Sequence, residues 1–118
     1  MTGGYRAAVL KTTNFLGIDP DRVFANELIH DKNGNFIDLD WTIPLWKPQG
    51  KTDIVNQVIK NYRYTTVIIG DGMTDFEAGK VSEMFICFAG VIRRERVANK
   101  ADHVISNRSL MACLPLLI

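Results

Sequence analysis

The stretch VIIGDGMTDFEA, residues 67–78, decides the fold. With the two threonines before it, the run 65–70 reads as a short apolar strand without alternation, the pattern of a strand buried on both faces in a parallel sheet. The run ends in Gly70-Asp71-Gly72, and a second carboxylate, Asp75, follows. In open α/β sheets, ligands bind beyond the carboxyl ends of the strands. Asp71 therefore falls where a hard cation could sit, and two carboxylates beside Gly70 and Gly72 suit Mg²⁺, which takes oxygen ligands. The glycines let the backbone turn tightly and approach a ligand. The competing reading is an ordinary strand-to-helix turn with Asp71 capping the helix.

Working outward, 76–80 reads as helical, and MFICFAG, 84–90, as a second strand buried on both faces. A helix over 92–99, a last strand at 103–105 and an apolar tail broken by Pro115 complete this half. Upstream, 52–62 is helical, with Ile54 stacked on Val58, and Val55 on Ile59 and Tyr62. Pro44, Pro48 and Gly50 mark a loop. ELIHDKNGNFIDLDW reads as a hairpin turning at Asn33-Gly34. Before it come a helix with Val9, Thr13 and Leu16 on one face, a stop at Gly17-Ile18-Asp19-Pro20, and a short strand at 22–24. Strands alternating with helices imply α/β with a parallel sheet.

The chain has 118 residues, a formal net charge of +1, and 47% hydrophobic residues. That suits one soluble domain with its own core. Near-zero charge gives no argument for nucleic acid or an anionic membrane surface. No apolar run approaches the roughly 20 residues that span a bilayer. The N-terminus MTGGYR has no apolar core of a signal peptide, so a cytoplasmic location is expected. Cys87 and Cys113 sit in apolar contexts and read as buried thiols.

Two more segments carry chemistry. Thr2-Gly3-Gly4, just before a helix, offers backbone N–H groups and a hydroxyl, a phosphate site in kind; it is also a good N-cap. Lys51 opens a helix, where a cation is poorly placed for the dipole, which hints at an anionic ligand; a solvated surface lysine is the bland alternative.

Taken together, TGGYR, KTDIV, VIIGDGMTDFEA and FICFAGVIRRERVANKAD resemble, in order and spacing, the haloacid dehalogenase superfamily of phosphatases, and within it the phosphoserine phosphatases. The resemblance implies a partial Rossmann-like parallel sheet of that type with a small β-hairpin flap at about 27–46, in a single incomplete core over 1–118. It implies hydrolysis of phosphoserine, a small phosphomonoester, through an aspartyl phosphate with Mg²⁺ as cofactor. Thr2, Gly3, Gly4, Lys51 and Thr74 would hold phosphate, Lys51 and Asp75 would serve catalysis, and Asp71 and Asp75 would hold the metal. In that family the nucleophile motif, D-x-D-x-T, precedes the T-G-G segment. The expectation is therefore a chain inactive alone, a fragment or a half that pairs with a separate N-terminal half, and a strand 65–70 whose open edge invites self-association.

A D-x-D-x-T string does occur, at Asp38-Leu39-Asp40-Trp41-Thr42. Only Phe36 and Ile37 precede it after the turn, and alternation would place Ile37, Leu39 and Trp41 on one face with Phe36, Asp38 and Asp40 on the other. That is a half-wet flap strand, and the string reads as a decoy.

Overall fold

In the computed structural model, which describes residues 1–118, the order is α1 (Arg6–Phe15), β1 (Leu28–His30), β2 (Phe36–Leu39), α2 (Gly50–Tyr62), β3 (Val67–Gly70), α3 (Met73–Gly79), β4 (Met84–Phe88), α4 (Glu95–Ala98) and β5 (His103–Ile105). Short 3-10 turns occupy Pro20–Arg22, Pro44–Trp46 and Leu110–Leu116. Internal contacts divide the chain into two compact units, Met1–Ile54 and Val55–Ile118, and the division falls within α2.

The second unit holds a three-stranded parallel sheet in the order β3-β4-β5. Val67 to Gly70 pair with Met84 to Cys87, and Ile86 to Phe88 with His103 to Ile105. β4 is central, which explains its unbroken apolar sequence: Phe85, Ile86 and Cys87 are all buried although they alternate between faces. On one face, Phe85, Cys87 and Ala89 pack with Val97 and Ala98 of α4, against Ile68, Met73 and Phe76. Phe76 meets Phe85 edge-to-face with centroids 5.7 Å apart. β3 is an edge strand and Ile69 is exposed.

The first unit holds a two-stranded antiparallel hairpin, β1-β2. The expected two-residue Asn33-Gly34 turn is instead a longer loop. Gly34 N–H donates to Asp31 O (3.0 Å) and Asp31 N–H to Asn35 O (2.9 Å), with Gly34 in the left-handed region at φ 84°. This is a type I turn closed by a glycine bulge. The Asp31 carboxylate takes the N–H groups of Asn33 and Asn35, and hydrogen bonding, led by the Asn35 side chain, lowers its pKa. Pairing then slips between Ile29 and His30, so the expected alternation of β2 is broken at a bulge, and Ile37 is exposed beside Phe36. Trp41 and Trp46 follow the hairpin as an edge-to-face pair 5.2 Å apart, both about half-exposed.

Several boundaries depart from expectation. No strand forms at 22–24: Asp19 accepts the N–H of Asp21 and Pro20 opens a 3-10 turn, so the extended segment begins later and makes a single parallel bridge, Asn26 with Tyr5. α1 buries no residue; Val9 and Thr13 are half-buried and Leu16 is exposed. α2 and α3 each start earlier than their periodicity suggests, and α4 is shorter than the expected 92–99. The residues before α4 are committed elsewhere: Arg93 pairs with Glu95, and Arg94, the N-cap residue, turns its side chain to Asp71. β5 matches its expected bounds. Both cysteines are free and buried, as expected, and burial chiefly raises the Cys87 pKa. No helix is long and apolar enough to cross a membrane.

Truncating Ile86, which is 0% exposed, should cost about 3 kcal/mol in urea unfolding. Truncating Ile92, 50% exposed, should change stability by no more than about 0.5 kcal/mol. Equal losses at the two positions would contradict the burial pattern.

Candidate functional site

Asp71 follows β3 directly, at the carboxyl end of the parallel sheet, and its side chain is about half-exposed. It is not the cap of α3. The N-cap is Gly72, whose N–H donates to the carboxylate of Asp75 at 3.0 Å. Asp75 sits at the third helical position, so its charge also lies where the helix dipole favours it. The Asp75 side chain folds back over the turn so closely that a Cβ at Gly70 would lie 2.3 Å from its Cγ. Gly70 is therefore a glycine for lack of space. Neither Gly70 nor Gly72 has a positive φ, which corrects the expectation that conformational freedom explains them. Thr74, in the first turn of α3, is exposed.

Arg94 is the residue here that the sequence did not reveal. Its Nη1 donates to the Asp71 carboxylate, with which it forms an ion pair, and to the Asp71 carbonyl at 3.3 Å. A guanidinium already stands where positive charge is favourable. Asp71 and Asp75 offer hard oxygen donors, and Mg²⁺ is often held by only one or two carboxylates, with waters and phosphate completing its shell. The donor chemistry fits that ion, although no cluster of three His, Cys, Asp or Glu side chains forms a protein-only cage.

In the first unit, Thr2-Gly3-Gly4 forms a tight turn before α1. Gly4 N–H donates to Thr2 Oγ1 at 3.1 Å, so this amide is already used within the loop, while Gly3 and Gly4 are exposed. The N-cap of α1 is Tyr5, without a side-chain cap, rather than any residue of the Thr-Gly-Gly segment. The loop is fixed by Asn26, only 4% exposed. Asn26 N–H donates to Gly4 O (3.0 Å), its Nδ2 to Gly3 O (2.9 Å), and its own carbonyl accepts from Arg6 N–H (2.7 Å). Its Oδ1 is buried without a hydrogen-bond partner. The only sequence signal was an Asn between apolar residues and a hairpin.

Lys51 lies in the first turn of α2 and is half-buried. The preceding Gly50 sets its position: a Cβ there would lie 2.0 Å from Pro44 O, so the helix start is pressed against the Pro44-Leu45 backbone. Reading Gly50 as a loop marker missed this.

The decoy is accounted for locally. Asp38 accepts from Leu39 N–H (2.8 Å) and the Trp41 indole (3.1 Å). Asp40 accepts from both the N–H (3.0 Å) and hydroxyl (2.6 Å) of Thr42, and these bonds, the hydroxyl first, lower its pKa. Both carboxylates brace the turn after β2.

A cavity of about 280 Å³ lies at the amino end of the sheet, lined by Phe76, Lys80, Ser82, Lys100 and Asp102 among others, and contains none of these candidate residues.

No family model matches the chain. It is 40% identical over 108 residues to the chloroplastic phosphoserine phosphatase of Arabidopsis thaliana, covering 89% of this chain and 37% of that protein. It is 32% identical to the phosphoserine phosphatase of Homo sapiens, covering 91% of this chain and 48% of the other. A solved substrate-bound phosphoserine phosphatase superposes with a TM-score of 0.77 at 30% identity, over 97% of this chain and 52% of that one. The chain thus spans about half or less of the relatives it matches.

Replacing Gly70 with Ala should destabilise by about 1–3 kcal/mol, because the new methyl meets Asp75. In an Asp75→Ala background the same change should cost less; equal costs in both backgrounds would show that Asp75 is not the obstacle. Asn26→Ala should cost about 1 kcal/mol in urea unfolding, since it removes the part-buried bond to the Gly3 carbonyl.

Proposed function

Because the chain belongs to the haloacid dehalogenase superfamily and its partly Rossmann-like α/β fold is that of phosphoserine phosphatases over part of their length, we propose that it is the phosphate- and cation-binding portion of such an enzyme. On this reading, residues 1–118 form one incomplete core with a flap at about 27–46. The complete protein hydrolyses O-phosphoserine to serine and phosphate through an aspartyl phosphate. The observation that carries the reading is Asp71 at the carboxyl end of the parallel sheet, in a turn whose shape Gly70 and Asp75 determine.

The residues then act as follows. The Thr2 hydroxyl and the Gly3 and Gly4 amides hold phosphate oxygens, the Gly4 N–H exchanging its bond to Thr2 Oγ1 for one to phosphate, with Asn26 keeping the loop in shape. Lys51 neutralises charge on the phosphate and on the attacking carboxylate. Thr74 lines the phosphate site. Asp71 is a Mg²⁺ ligand, and Asp75 supports the metal or orients Lys51 while holding the turn. When bound, Mg²⁺ supplies neutralisation of phosphate charge. Phosphoryl transfer depends chiefly on positioning and charge neutralisation, and these residue types provide both.

The attacking aspartate is not among them. Asp38 and Asp40 are engaged in their own turn, and β3 leaves one side unpaired. A second reading follows: a non-catalytic half that pairs with a separate N-terminal half, or a phosphate- and Mg²⁺-binding module.

The chain alone, with Mg²⁺ and phosphoserine, should release phosphate no faster than buffer, and Asp38→Asn should change nothing. Enzymatic turnover abolished by Asp38→Asn would make the decoy the nucleophile after all. Inorganic phosphate with Mg²⁺ should perturb the amide resonances of Thr2, Gly3, Lys51 and Thr74, and Lys51→Ala should weaken its binding about tenfold or more. Phosphate binding indifferent to Lys51 would count against the site.

A further inference from the structure

Asp71 is held by one guanidinium, that of Arg94, through both its carboxylate and its main-chain carbonyl. Arg93, next in the chain, is engaged differently: Glu95 takes its Nε at 2.7 Å and its Nη2 at 3.2 Å, a two-pronged pair. Two adjacent arginines therefore have separate tasks. Arg94 occupies the N-cap position of α4 and caps nothing with its side chain. Its extended backbone instead sends the guanidinium across the carboxyl edge of the sheet, from the loop after β4 to the end of β3.

The ion pair is half-exposed on both sides, at 46% and 44%. Such pairs are weak and readily exchanged, because water competes for both partners. A divalent cation would draw on the same carboxylate, whose Oδ2 Arg94 now holds. Two positive groups on one half-exposed carboxylate repel each other, so each weakens the hold of the other. The displaced guanidinium remains tethered at the carboxyl edge, where a bidentate donor suits phosphate oxygens.

We propose that Arg94 is the resident counter-ion of Asp71, competing with a divalent cation for its oxygens, and that cation binding frees the guanidinium for the anion. The inference rests on the reading of Asp71 as a cation ligand and adds a positioning role for Arg94. By linkage, cation and phosphate then promote each other's binding through this side chain.

The test is a titration of the folded chain with MgCl₂, followed by the Asp71 and Gly72 amide resonances, for wild type, Arg94→Ala, Arg93→Ala and Asp71→Asn. Arg94→Ala should bind Mg²⁺ about two- to fivefold more tightly, the gain expected from removing a weak exposed competitor. Arg93→Ala, whose charge is already paired with Glu95, should match wild type, and Asp71→Asn should lose binding. Under saturating Mg²⁺, inorganic phosphate should bind Arg94→Ala several-fold more weakly than wild type, with Arg94→Lys only partly restoring it. If Asp71→Asn abolishes Mg²⁺ binding but Arg94→Ala leaves it unchanged or weaker, the competition is refuted while Asp71 keeps its role. Equal tightening by Arg93→Ala and Arg94→Ala would reduce the effect to a general field and also refute it. Mg²⁺ binding that survives Asp71→Asn would overturn the site itself. Unchanged phosphate binding in Arg94→Ala would refute the release of the guanidinium to the anion. Circular dichroism melts of each variant exclude unfolding as the cause.

Discussion

The site in the second unit depends on the absence of one carbon atom. Because Gly70 has no Cβ, the Asp75 carboxylate can lie over the end of β3 and take the Gly72 N–H. That bond starts α3 immediately after the strand, and an immediate start keeps Asp71 at the sheet's edge. A longer connection would free it. The helix in turn brings Met73 and Phe76 onto the cluster around Phe85 and Cys87. Polar contacts at the edge and apolar packing beneath it are thus one arrangement: the carboxylate that shapes the turn also aligns the helix that covers the sheet.

The first unit repeats this device once and adds another. Gly50 lets the start of α2 press on the Pro44-Leu45 backbone, which fixes where Lys51 begins. Asn26 holds the Thr2–Gly4 turn by bonds to two successive glycine carbonyls. In each case a candidate residue owes its position to a neighbour with no chemistry of its own. A buried polar side chain such as Asn26 is costly unless bonded; its Oδ1 is an orphan, and the bond from its Nδ2 to Gly3 O offsets part of that cost.

The parts legible in the sequence were those written in local patterns. Apolar runs announced β3 and β4, and Asp71 could be placed because it follows such a run; two-sided burial holds for β4 alone, since β3 is an edge strand that begins at Val67 and leaves Ile69 exposed. The D-x-D-x-T string could be set aside because a turn signal precedes it, and its carboxylates do brace a turn. Illegible were contacts between residues far apart in the chain. Arg94 meets Asp71 across the gap between two strands, and Asn26 reaches back to Gly3. Neither pairing leaves a trace in composition or period. The bulge in β2 was hidden as well, since alternation was counted from the turn and the slip lies within the hairpin. α4 came out short because its leading arginines answer to Glu95 and Asp71, which propensity does not register.

The chain's two tryptophans, Trp41 and Trp46, stand edge-to-face a few residues apart in the first unit. The second unit has none. Intrinsic tryptophan emission therefore reports on the segment after the hairpin. Trp41 is further tied to the Asp38 carboxylate through its indole N–H, so its emission also senses the turn that follows β2. A denaturation curve followed by fluorescence and one followed by backbone circular dichroism weigh different parts of this molecule. Their coincidence would be the evidence that its two compact units melt as one.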